Sequence, residues 1–185
     1  PNDYLDLFFS FPDEASALKL FHFLHTKMEG SFDGLTAFEY FGVNCRNYMD
    51  HQEVFFPGDN QVGVNIQVPL FYKEMEDAAE EWLVLLEEAD CGLSDENIIL
   101  IDNERVRSKF MEARHSMPAK AVEVVEHRGT YTIMTDTVVP PEKFDEFLSY
   151  THTLIRDGGL DYLSFGHLGD CHLHFTLLPE KDQLE

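Results

Sequence analysis

Positive charge is scarce in this sequence. Of 185 residues only 13 are Lys or Arg, against 35 Asp or Glu, giving a formal net charge of -22 with nine His counted neutral. So acidic a chain repels phosphate backbones and anionic headgroups, which argues against nucleic-acid binding and against direct binding to a membrane surface. If the ligand is an anion, the few cationic groups have to gather where it binds. Cysteine is scarce too. Cys45, Cys91 and Cys171 are widely spaced and odd in number, and no CxxC pair occurs. Neither a disulfide framework nor a cysteine zinc site is suggested, and free thiols fit a reducing compartment. No stretch approaches the roughly 18 apolar residues of a membrane span. The opening PNDYLDLFFS lacks the basic start and apolar run of a signal peptide. GxSxG, P-loop and GxGxxG motifs are missing as well. What is present is apolar material: 44% hydrophobic and 13% aromatic residues suffice for a core and exclude bulk disorder.

Alternation over Asp3 to Phe11 predicts a strand, and Pro12-Asp13 opens a helix whose apolar residues recur from Ala17 to Met28 until Gly30 stops it. Leu35 to Gly42 (LTAFEYFG) predicts a second strand, Val43 to Met49 one short helix, and residues 50 to 60 a loop. Gln61 to Phe71 predicts a third strand, Lys73 to Asp90 an acidic helix with Trp82, Leu83 and Leu86 inward, and Asn97 to Ile101 a fourth strand. The order β-α-β-β-α-β is the split ferredoxin-like unit. A helix from about Asn103 to His115 follows, which Pro118 is expected to break. Residues 119 to 129 read equally as helix or strand. Thr130 to Val139 predicts a strand, Glu142 to Asp157 a helix ended by Gly158-Gly159, and residues 162–168 and 172–178 a terminal hairpin. The expected class is α+β: a ferredoxin-like lobe, about 1–101, extended by a second helix-and-strand lobe, 102–185, on an antiparallel sheet with helices on one face. The seven acidic residues from Glu74 to Glu88 read as a solvated helix face.

The chemistry concentrates in SFGHLGDCHLHFTLLP, residues 164–179. A hairpin centred between Asp170 and Cys171 would set His167 opposite His174, with Cβ atoms roughly 4.5 to 5.5 Å apart. Two imidazoles there could converge on one metal, and His172 has the same parity. A catalytic zinc or manganese needs a third ligand, and no residue is identifiable as one. Cys171 beside the histidines could be read as a Cys-His nucleophile pair, but no oxyanion feature accompanies it. His22 and His25, three apart on the first helix, read as core edge and solvent.

FGHLGDCHLH resembles the GHxGDGNxH motif of the FAD-linked oxidase C-terminal domain, found in flavoproteins of the vanillyl-alcohol-oxidase type such as D-lactate dehydrogenases and glycolate oxidase large subunits. The resemblance implies that His167 and His174 lie in the substrate site and, as in several members, bind a divalent metal (zinc or manganese). Two departures stand out: Cys171 replaces the second turn glycine, and His172 replaces the asparagine. SKFMEARHSMPAKAV is similar to the family segment carrying the arginine that pairs with the substrate carboxylate. That places Arg114 in this role, with His115 beside it, and a guanidinium fork suits a carboxylate. Members acting on a dicarboxylate carry Thr and Lys where this chain has Pro118 and Met134, which points to a monocarboxylate. TDTVVPPEKFDEFL is similar to the family's strand-to-helix segment, where Asp136 reads first as a structural cap. The family's EHGxG motif, source of its third metal ligand, is missing.

The resemblance therefore implies the substrate-binding cap of an FAD-dependent D-2-hydroxy acid dehydrogenase, acting on D-lactate or a glycolate-like acid and passing a hydride from C2 to FAD. FAD would be held largely by a preceding domain of the same longer chain, so this piece alone is expected to be inactive. Arg114, His167 and His115 would bind substrate, and His174 or His172 would serve as the base. The expected partners are the small hydroxy acid and the FAD domain; the electron acceptor is unassigned and homodimerisation is left open. The expected location is the cytoplasm, with peripheral membrane association of the full-length enzyme left open. A reading from another class is a stand-alone ferredoxin-like binding or regulatory domain with a structural metal at the histidine hairpin.

Overall fold

The computed structural model describes residues 4–184, so Asp3 at the start of the expected first strand lies outside the described residues. β1 (Tyr4–Phe11) pairs antiparallel with β3 (Val62–Pro69), which pairs with β2 (Ala37–Phe41), while β4 (Ile98–Leu100) lines the other side of β1. The resulting order β4-β1-β3-β2 follows from the split βαββαβ connectivity. α1 (Glu14–Lys27) starts where Asp13 accepts a hydrogen bond from the Ser16 N–H at 2.8 Å, an N-cap placed as the sequence suggested. α4 (Met75–Ala89) buries Ala78, Trp82 and Leu86, and its acidic residues face solvent.

β2 then pairs with β7 (Asp161–His167), and β7 with β8 (His172–Leu178), so the two expected lobes share one eight-stranded antiparallel sheet. β5 (Ile133–Met134) and β6 (Thr137–Val138) both lie along β8. The α+β class and the antiparallel sheet hold, but helices cover both faces rather than one. Strand alternation shows why. Leu5, Leu7, Phe9 and Phe11 join a core with α1, α4 and α6 (Phe144–Asp157). Phe8 faces the opposite core, with α5 (Glu104–Arg128), α2 (Cys45–Tyr48) and α3 (Gln52–Phe55). A strand apolar on both sides needs two layers to cover it. Phe8 meets Phe55, Phe56 and Phe110 edge-on at 5.3 to 5.6 Å between ring centroids, contacts worth about 0.5–1.5 kcal/mol each beyond burial.

Three local expectations change. The loop expected over 50–60 contains α3, which brings Phe55 and Phe56 beneath Phe8. Pro118 does not end a helix: α5 runs through it for 25 residues. Its buried stripe Phe110, Ala113, Met117, Ala121, Val125 continues past the proline, and that burial offsets the roughly 3 kcal/mol penalty. The strand expected from Thr130 to Val139 is divided in two. The pairs on either side of the break share one register, but the Thr135 Oγ1 accepts the Phe175 N–H at 3.2 Å in place of a backbone carbonyl. No helix among the described residues is long and apolar enough to cross a membrane.

Candidate active site

The hairpin carries its histidines differently from the expected register. His167 is opposite His172, and His174 is opposite Phe165. The turn is a short 3-10 segment, Leu168–Asp170, followed by Cys171 in the left-handed conformation at φ 49. Leu168 and Cys171, three residues apart, are both buried in the core, and that burial draws the chain into a helical turn instead of extending the ladder. A shift of two residues preserves the face, so His167, His172 and His174 still point the same way. Gly166 permits the close approach. At φ 153 it lies in a region that glycine favours, and a Cβ there would stand 2.3 Å from the His172 carbonyl oxygen.

Two cross-strand rows build the site on the face covered by α5. One runs Asn65, Glu39, His167, His172, Val138 across β3, β2, β7, β8 and β6. The next runs Phe41, Phe165, His174, and the register of β5 and β6 sets Asp136 opposite His174. The three rings lie 4.8 to 6.0 Å apart, centroid to centroid. From above, α5 sends down Arg114, flanked by the buried Ala113 and Met117. Arg114, His115, Met117, Pro118, Glu39, Phe165, His167 and His174 line one cavity of about 280 Å³. Tertiary folding thus brings the expected substrate-site residues Arg114, His115, His167 and His174 to a single space.

Glu39 is the residue that the sequence reading missed. It is only 15% exposed, its Oε1 accepts from His167 Nδ1 at 2.9 Å, and its Oε2 accepts from Arg114 Nη2 at 3.4 Å. Its signal was a charged residue inside the alternating apolar run LTAFEYFG. Asp136 takes part more directly than a cap would. It hydrogen-bonds His172 Nε2 and lies 3.5 Å from His174 Nδ1, and the His172 contact holds its carboxyl below the usual range. His174 Nδ1 is buried and makes no hydrogen bond among the described residues. Ligand atoms of Asp136, His172 and His174 lie within 4.8 Å of one another, a donor set of two imidazoles and a carboxylate. The convergent donors therefore include His172 in place of the expected His167, whose Nδ1 is engaged by Glu39. Cys171 is buried and its thiol is pushed up to about 12, chiefly by desolvation, which removes it as a nucleophile at neutral pH.

Residues 70–185 match the family described as FAD linked oxidases, C-terminal domain. The chain belongs to this family. The matched segment holds Arg114, Asp136 and the three hairpin histidines of this FAD-linked oxidase C-terminal domain, while Glu39 lies before it. A search of curated proteins gave no match. Among its described residues the FAD-linked oxidase C-terminal domain has no glycine-rich phosphate loop, so the residues present do not fit the dinucleotide's pyrophosphate.

Proposed function

We propose that this oxidoreductase cap domain binds a small D-2-hydroxy monocarboxylate, D-lactate or a glycolate-like acid, and presents it to FAD held by another domain of a longer chain. One observation carries the reading: in a chain with so few cations, Arg114 lines the same small cavity as His167 and His174. When bound, FAD supplies the acceptor for the hydride from C2. The chain's own residues do the rest. Arg114 takes the carboxylate through its guanidinium fork. The histidine-lined wall faces the hydroxyl, and Phe165, Met117 and Pro118 keep the remainder apolar, with no donor at Pro118 for a second carboxylate. Asp136, His172 and His174 are the residues that would hold a divalent ion such as zinc or manganese, which would act as a Lewis acid toward the hydroxyl oxygen.

The test is Arg114→Ala in the full-length flavoenzyme, assayed with D-lactate. The expected outcome is a fall in kcat/KM of about 100-fold or more, carried mainly by KM, since a charged hydrogen-bonded anchor is lost. An unchanged kcat/KM would show that the carboxylate binds elsewhere.

A further inference from the structure

Glu39 sits where a carboxylate-binding site is least expected to carry a carboxylate. Resting on the substrate reading above, we infer that Glu39 is the positioning residue of this site, acting on both sides of the substrate at once. Its two oxygens are divided between the two groups the substrate needs: Oε1 on His167 Nδ1 at 2.9 Å, Oε2 on Arg114 Nη2 at 3.4 Å.

On the His167 side the consequence is a tautomer. A carboxylate only accepts, so Nδ1 carries the proton, and in the neutral ring Nε2 keeps its lone pair. No hydrogen bond to Nε2 occurs among the described residues, so this nitrogen is the acceptor available to a substrate hydroxyl. His172 has its Nε2 on Asp136, and His174 has its Nδ1 buried, so neither ring is set in the same way. On the Arg114 side Glu39 is an exchangeable counter-ion. The contact is long, made through a single guanidinium nitrogen, and Arg114 stays 40% exposed. A substrate carboxylate offering two oxygens replaces a one-nitrogen contact with a bidentate one. Glu39 itself is held by β2, in register with Asn65 and His167, so it stays in place when Arg114 turns away. The carboxylate site is thus kept charge-balanced until an acid enters it.

Two measurements on this chain test the inference. First, nitrogen-15 NMR of the ligand-free chain should show the His167 proton on Nδ1, in wild type and in Glu39→Gln, whose amide oxygen still accepts it. A neutral ring protonated on Nε2 instead of Nδ1 in wild type overturns the inference, and this measurement needs no variant. Second, acetate serves as the carboxylate probe. Glu39→Gln removes the competing charge and should bind acetate about 3- to 10-fold more tightly than wild type, whereas a merely structural Glu39 predicts equal or weaker binding and would sink the counter-ion role. Arg114→Ala separates the two readings. If it abolishes acetate binding while Glu39→Gln brings no gain, only the Glu39 role fails. If Arg114→Ala still binds acetate, the carboxylate anchor fails, and the counter-ion role with it.

Discussion

At the scale of single residues, this protein places charge where the surroundings make it costly and then supplies partners. Asp6 is the clearest case away from the site. It is 4% exposed beneath α5, and accepts from Asn65 Nδ2 at 2.7 Å and Gln67 Nε2 at 3.1 Å. Desolvation nonetheless raises its carboxyl above the ordinary 3.8, outweighing these hydrogen bonds and the charges of Arg107 and Arg114. A raised native value means that the folded state holds this proton more tightly than the unfolded chain. The contribution of Asp6 to stability is therefore greatest below 3.8, falls as pH rises from 3.8 through the raised native value, and is constant above it. Asp6→Asn removes that slope. Its Tm relative to wild type should improve as pH rises from 3.8 through the raised native value and then level off, in thermal unfolding followed by circular dichroism; a difference that stays constant as pH rises from 3.8 would contradict the assignment.

At the scale of elements, α5 carries both a structural and a functional load. Pro118 has no N–H, so the Arg114 carbonyl one turn earlier lacks its helical partner. The defect thus falls at the residue proposed to bind the carboxylate, and Pro118 itself lines the same cavity. Pro118→Ala restores the missing bond and a better helix former, and is expected to stabilise the fold by about 1–3 kcal/mol. The same change alters the backbone that aims Arg114, so weaker acetate binding should accompany the higher Tm. Calorimetry and an acetate titration on one sample measure both, and a variant that loses stability would show that the proline is fully accommodated. The hairpin illustrates the opposite economy of means: one glycine at Gly166 lets two strands approach, and two buried residues, Leu168 and Cys171, set the turn.

At the scale of the whole molecule, the excess of negative charge sets how the fold responds to salt. Thirty-five acidic residues face 13 basic ones, and the acidic face of α4 lies open to solvent. Self-repulsion among exposed carboxylates opposes compaction and is screened within a Debye length of about 10 Å at 0.1 M salt. Raising sodium chloride from about 10 mM to about 0.5 M should therefore raise Tm. A fall would mean that exposed pairs such as Lys27–Glu88 and Lys73–Glu81 outweigh the repulsion, although such pairs are individually worth only about 0–1 kcal/mol.

By itself the sequence determined what depends on local pattern. Period-2 and period-3.6 alternation located β1 to β4, α1, α4 and α6. Residue order identified the βαββαβ lobe, and the parity of the hairpin put three histidines on one face, because a two-residue slip cannot change a face. Arg114, His167 and His174 were singled out because they lie in contiguous segments that resemble the family's motifs. Tertiary structure decided whatever depended on burial or on distant strands. Burial of the stripe from Phe110 to Val125 carried α5 through Pro118, and core burial of Leu168 moved the turn so that His172, not His174, faces His167. A Thr135 side chain split one expected strand and left Asp136 opposite His174. Glu39 entered the site only because β2 pairs with β7 across a separation of 128 residues. No local pattern encodes that pairing, since it exists only once the two lobes share a sheet.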